Sequence, residues 1–388
     1  MEYRCISADC HMDLCWLPHD LFTSSATQAM KSRMPYVKEG PDGFMWEMSP
    51  GVTLSRANAK GGVGTAGNTA YVPGTDHRFD RIATTGLYSE GSKGIFRPST
   101  PELRLKEQDR DGLQAEVIYG LLNAGNRIKD DEVATEFFRI YNDWLSAFCS
   151  YDRKRFVGLA SLPVHSVEAA AAEARRVSKL NIGGLDMPVS YRMIPLWSTY
   201  WDPLWKVAAE TNLAIHIHTI SPPPPAYPVP DQPSAAFKGA ARATAIAVFQ
   251  VHLASVLAAI IHGGALERFP NLRVVLGESG IGWIPYVLDR MDHEYETRFK
   301  TMLSELRMKP SEYWRRQCRA TFQADRIGTK LLDDLGIETV MWGSDFPHLD
   351  GVYPDSQEYI KDQFGHLPAS EVRKIICENA GRFYGLIS

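Results

Sequence analysis

Residues 3–13 read YRCISADCHMD, a short β-branched and apolar run that ends in alternating polar residues. Tyr3–Ala8 has strand composition and predicts a buried strand. Asp9 and His11 follow it two residues apart, so on an extended backbone their side chains face one point. Barrel enzymes carry their working groups at such C-terminal strand ends.

The same kind of run recurs along the chain at Ala115–Tyr119, Phe156–Leu162, Ile182–Met187, Leu213–His218, Leu272–Gly277, Cys318–Phe322 and Thr339–Gly343. Amphipathic helical patterns lie between most of them: Val133–Tyr151, Ser166–Lys179, Trp201–Thr211, Ala235–Ile261, Trp283–Lys300 and Arg326–Leu335. Ala369–Leu386 adds a closing helix, with Val372, Ile375, Ile376, Ala380 and Phe383 spaced for one face. Strand–helix alternation predicts a parallel sheet, and eight units in 388 residues predict an α/β fold of the (β/α)8 barrel type, a single domain over residues 1–388.

Two stretches exceed a minimal barrel. Residues 23–100 separate the first strand from its helix. They include KGGVGTAGNTAYVPGTD (60–76) and predict an irregular insertion, either an active-site lid or a mobile segment. SPPPPAYPVPDQP (221–233) follows the fifth strand and predicts a stiff extended loop, a site wall or a proline-rich ligand.

Composition narrows the function. With 44% hydrophobic and 23% charged residues the chain needs no disulfide or metal staple for its core. A formal charge of −4 leaves no basic footprint for nucleic acid and no polybasic membrane anchor. The six cysteines form no CxxC pair, which predicts reduced thiols. MEYRCISADCH lacks the apolar run of a signal peptide. The longest apolar region, Ile246–Ile261, is interrupted by Gln250 and His252 and predicts a buried helix. Together these features predict a cytoplasmic protein acting on a small molecule, with no nucleic-acid or membrane partner.

Three further strand ends resemble the first in their chemistry: Ile215-His216-Ile217-His218 at the fifth, Gly277-Glu278-Ser279-Gly280 at the sixth, and Gly343-Ser344-Asp345-Phe346-Pro347-His348 at the eighth. Singly, Asp9 or Asp345 reads equally as a cap, and His216 as a core histidine. Jointly, carboxylates and imidazoles at four ends of one barrel suit a borderline divalent ion.

The pieces SADCHMD, AIHIHT, GGALERFPNLRVVLGESGIGWIPYVLDRMD, WGSDFPHLDG and ENAGRFYGL resemble the amidohydrolase superfamily. The nearest branch is the amidohydrolase-2 group, which includes aminocarboxymuconate-semialdehyde and γ-resorcylate decarboxylases. The resemblance covers Tyr3–Leu14 and, with gaps, Leu103–Leu386. It implies a metal site of Asp9, His11, His216 and Asp345 holding one divalent ion, zinc first, with manganese or iron as alternatives. It also implies that Asp345 shuttles a proton. His218 stands where many relatives have glycine, and it either touches substrate or metal or lines the pocket. Glu278 stands where many decarboxylases of the group have histidine; it reads as a ligand, a base for a metal-bound water, an acid, or a structural carboxylate.

Arg290, about three helical turns beyond Glu278, matches a carboxylate-binding arginine or else pairs with Asp289 or Glu294 on a helix surface. His348, Trp283, Phe346 and His262 are further substrate-binding candidates, each with a packing or capping alternative. The resemblance implies a homodimer. Two chemistries follow. One is decarboxylation of a small aromatic or unsaturated acid. The other is a metal-dependent hydrolase or hydratase that activates water with Glu278 or Asp345 as base. A non-catalytic barrel is a third reading, and it predicts an incomplete ligand set.

Overall fold

The computed structural model describes residues 2–40, 43–48, 52–57, 82–121, 124–219 and 232–388. Its centre is an eight-stranded sheet made of β1 (Ile6–Met12), β5 (Ala115–Gly120), β6 (Phe156–Ser161), β7 (Gly184–Asp186), β8 (Ala214–Ile217), β9 (Val274–Leu276), β10 (Cys318–Phe322) and β11 (Val340–Trp342), in that order. All neighbouring pairs are parallel. The sheet closes just beyond β11. There the Asp345 N–H donates to Asp9 O at 2.9 Å and the His11 N–H donates to Phe346 O at 2.6 Å, with a parallel bridge between Cys10 and Phe346. The result is the anticipated (β/α)8 barrel. The barrel strands are buried on both faces, which explains their nearly continuous apolar character in sequence.

The first strand runs further than its apolar composition suggests, to Met12, so Asp9 and His11 lie inside it. Its register against β5 shifts between Ser7 and Cys10, leaving one extra residue on β1. A bulge of this kind re-aims side chains, and here it lies beside Asp9.

Three expectations are corrected. The insertion is not wholly irregular: β2 (Tyr36–Gly40), β3 (Gly43–Met48) and β4 (Val52–Arg56) form an antiparallel three-stranded sheet. The fully buried Trp46 pins that sheet to the barrel, donating its indole N–H to Leu14 O at 2.9 Å. Residues 60–76 and 221–231 lie outside the described residues. The Ala235–Ile261 pattern breaks at Gln250–His252 into Ala235–Val248 and Leu253–His262. Only the second buries an apolar face; the first buries no residue. Alanine-rich composition sustains a helix by propensity alone and so carries no signal about burial. Finally, Arg326–Leu335 is two short turns, Gly328–Lys330 and Leu332–Leu335.

The closing helical stretch runs from Ala369 through a π turn at Lys374–Glu378 to Phe383. It packs Cys377 and Ala380 against Tyr3, Ile6 and Ala8. The six cysteines are free and buried. No single helix among the described residues is long and apolar enough to cross a membrane.

A fully buried ion pair ties the helix before β5 to the barrel wall. Arg104, on the helix Pro101–Asp111, forks onto Glu116 of β5 at 2.5 and 3.0 Å. It also donates to His11 O at 2.8 Å and Pro98 O at 3.1 Å, and its guanidinium lies over the Phe346 ring. Removing one partner of such a pair strands the other charge in the core. Arg104→Ala is expected to cost roughly 3–5 kcal/mol of unfolding free energy in urea denaturation; a change under about 1 kcal/mol would contradict this role.

Candidate metal centre and acid–base site

Closure of the barrel places the β1 and β11 ends side by side. His11 Nε2 lies 3.3 Å from Asp9 Oδ1 and 3.0 Å from Asp345 Oδ1. His218, one residue past β8, brings Nε2 to 3.7 Å from Asp9 Oδ1 and 3.6 Å from Glu278 Oε2. Ligand atoms of Asp9, His11 and His218 lie within 4.8 Å of one another, as do those of His11, Asp345 and His348.

The fit to a cation is visible in the hydrogen bonding. Asp9 Oδ1, His11 Nε2, His218 Nε2 and both carboxylate oxygens of Asp345 are buried without a hydrogen-bond partner. Buried polar atoms left in this state are costly, and a divalent ion satisfies this mixed carboxylate–imidazole set. The other Asp9 oxygen is fully engaged. Its Oδ2 accepts from the Glu278 N–H at 2.8 Å and from the Thr321 hydroxyl at 2.5 Å, which aims Oδ1 at the cluster.

The backbone contributes to that aim. Glu278 and Asp345 adopt left-handed φ values of 46° and 59°, which non-glycine residues adopt only when the surroundings hold them there. Here the Glu278 N–H donates to Asp9 and also to Thr321 Oγ at 2.7 Å. At Gly343 a Cβ would stand 2.5 Å from the Cβ of Asp9, so only glycine lets β11 pass behind that carboxylate.

Charges are strongly coupled. Burial raises the Asp9 carboxyl, but contacts from His11 and His218 outweigh it and hold the group below the usual carboxylate range. Burial likewise opposes ionisation of Asp345, yet His348 and His11 bring it to about 2. His11 is disfavoured as a cation by burial and by His348, and is carried up to about 9 by Asp345 and Asp9. Burial, followed by the charges of Asp345, Asp350 and Asp9, pushes Glu278 well above the carboxylate range. The two carboxyls at the ends of β9 and β11 are thus driven apart, a pattern that separates acid from base in catalytic pairs.

The structure brings Asp9, His11, Asp345, His218, Glu278 and His348 together. It places His216 elsewhere, which corrects its assignment to the ligand cluster. His216 lies deeper in the barrel, with Nδ1 2.9 Å from the Tyr119 hydroxyl and its ring stacked on Tyr384. Burial lowers its pKa to about 3. Both histidines face inward, because residues two apart on a strand share a face; His218 is the one nearer the C-terminal mouth.

Four other candidates lie away from the cluster. Arg290 is half-exposed and paired with Glu294 along the helix Ile284–Glu294. Trp283 donates its indole N–H to Ser279 O at 2.7 Å and packs into the core. Phe346 is buried against Tyr353 and Arg104. His262 ends the helix Leu253–His262 and lines a groove with Trp197 and Arg268. Sequence reasoning missed Asp13, which is buried and bonded to His348 at 2.9 Å. Its position two residues after His11 was the available signal.

A family model described as Amidohydrolase matches residues 75–386. The chain is 24% identical over 302 residues to a γ-resorcylate decarboxylase of Polaromonas sp. (strain JS666 / ATCC BAA-500), covering 73% of this chain and 86% of that one. It is 24% identical over 253 residues to a 2-amino-3-carboxymuconate-6-semialdehyde decarboxylase of Dictyostelium discoideum, covering 64% of this chain and 66% of that protein's length. Among solved structures, a 5-carboxyvanillate decarboxylase from Sphingomonas paucimobilis aligns with a TM-score of 0.61 and 26% identity, over 74% of this chain and 82% of that one. A dihydroxybenzoic acid decarboxylase from Polaromonas sp. JS666, with bound manganese and the inhibitor 2-nitroresorcinol, aligns with a TM-score of 0.58 and 19% identity, over 73% and 85%.

The tight packing at Gly343 yields a direct test. Gly343→Ala should displace Asp9 and weaken Mn2+ binding roughly 10- to 100-fold, read by competition with a chromogenic chelator. Unchanged affinity would mean that Asp9 does not ligate the ion.

Proposed function

The chain belongs to the Amidohydrolase family, and from that premise we propose that it is a metal-dependent carboxy-lyase acting on a small aromatic or unsaturated carboxylic acid. The observation that carries this reading is the set of partnerless buried ligand atoms on Asp9, His11, His218 and Asp345 at the barrel mouth. The decarboxylase names of relatives along most of the chain support C–C cleavage over hydrolysis.

Asp9, His11, His218 and Asp345 would hold one divalent ion, His218 replacing His216 in that role. Zinc fits this donor set, and the manganese bound by a structural neighbour supports Mn2+ equally. When bound, the ion supplies Lewis-acid polarisation of a substrate carboxylate and an adjacent oxygen. The chain's own groups do the rest. Burial of Asp9, His11 and Asp345 excludes water from the cluster. Glu278, which burial pushes above the carboxylate range, delivers a proton to the carbon that bears the carboxylate, and the electron pair of the breaking C–C bond returns to the substrate as carbon dioxide leaves. His348 and Thr321 keep the two aspartates ionised and oriented.

Glu278 is the observation that keeps a hydrolase or hydratase as second reading: a carboxylate beside the ligand cluster is suited to taking a proton from water. The proposal extends to residues 1–388 as one domain, cytoplasmic and homodimeric, the last two supported by the sequence features and resemblance given above.

Elemental analysis of purified protein and a panel of phenolic acids assayed for carbon dioxide decide between the readings. About one equivalent of zinc or manganese with carbon dioxide release is expected. Metal without carbon dioxide would favour water chemistry. His218→Ala should lose the ion while His216→Gln retains it. Asp345→Asn should abolish turnover with the fold intact, and Arg290→Ala should stay within about twofold of the parent.

A further inference from the structure

Asp13 is buried and takes no part in the chemistry above. It precedes the turn Leu14–Trp16 but caps none of that turn's N–H groups with its side chain. Its contact is instead with His348, whose Nε2 lies 2.9 Å from Asp13 Oδ2. The other nitrogen of the same ring, Nδ1, lies 2.9 Å from Asp345 Oδ1. The ring stacks on His11 with centroids 4.0 Å apart.

The hydrogen bond to Asp13 at Nε2 holds the ring in one rotamer and one plane, with Nδ1 facing the Asp345 carboxylate. A ring held at this distance from Asp345 Oδ1 restricts the orientation of the carboxylate as well. Asp345 Oδ1 is then approached from two sides, by His348 and by His11. Bracing of the loop does not account for the ring, because the backbone already braces it. The His348 N–H donates to Asp345 O at 2.8 Å and the Val352 N–H to Ser344 O at 2.9 Å.

We propose that Asp13 is a positioning residue that holds His348 against Asp345 and so keeps the Asp345 carboxylate in one orientation at the ion. The inference rests on Asp345 being a metal ligand, as proposed above. A group acting through a neighbour of a ligand typically changes metal affinity or activity 10- to 100-fold when removed.

A double-mutant cycle tests it on the full chain, with Asp13→Asn, His348→Gln and the pair. The first readout is Mn2+ affinity by chelator competition, which needs no substrate. Each single change should weaken Mn2+ binding roughly 10- to 100-fold. The double variant should be no weaker than the worse single one by more than about twofold, because both remove the same link. Should Asp13→Asn fail to fold, Asp13→Glu takes its place with partial recovery expected. Losses that multiply in the double variant, or parental Mn2+ affinity in Asp13→Asn, overturn the proposal. On an acid that the parent enzyme decarboxylates, kcat should fall with KM held within about twofold; a loss confined to KM also overturns it. Non-additive Mn2+ loss without carbon dioxide from any acid would sink the carboxy-lyase reading and leave the positioning role standing.

Discussion

The site depends on one constraint, the closure of the sheet between β1 and the residues that follow β11. Two backbone hydrogen bonds, Asp345 N–H to Asp9 O and His11 N–H to Phe346 O, complete the barrel. The same two bonds set the side chains of Asp9, His11 and Asp345 next to one another. Fold and ligand geometry are therefore one arrangement. Gly343 permits it by leaving room for Asp9, and Arg104 reinforces it by binding the His11 carbonyl and Glu116 at once.

Around that junction the charges are arranged in alternation. Asp13, His348, Asp345, His11 and Asp9 form a buried chain in which each carboxylate meets an imidazole. Isolated, any of these would be expensive to bury; paired, each carboxylate has an imidazole beside it. Glu278 stands outside the chain, facing His218, and burial pushes its pKa above the carboxylate range. The contrast between Asp345 and Glu278 comes from their partners rather than from their residue types.

Much of this was legible in the primary structure, because it rests on local periodicity. The eight apolar runs are strands buried on two faces, and such strands cannot hide their composition. Asp9, His11, Glu278, Asp345 and His348 were visible as polar residues where apolar runs stop. The antiparallel sheet at Tyr36–Arg56 was not, since its strands are short and bury only a few residues, among them Trp46, Met48 and Leu54, which leaves little pattern. The exposure of Ala235–Val248 was also hidden, because alanine serves equally well inside and outside.

The order of the strands, the barrel and the polar residues at its mouth were thus fixed by sequence alone. Depth and partnership were decided only by the tertiary structure. His216 and His218 are equivalent to any reading by period two, and only the height of β8 in the closed barrel places His218 beside Asp9 and His11 and His216 on Tyr119. Arg290 had the right spacing, but helix rotation turned it toward Glu294. Asp13 and His348 lie 335 residues apart and meet only because the last strand returns to the first. Side-chain direction follows from local backbone geometry, whereas distance between strand ends is set by closure, which no local pattern encodes.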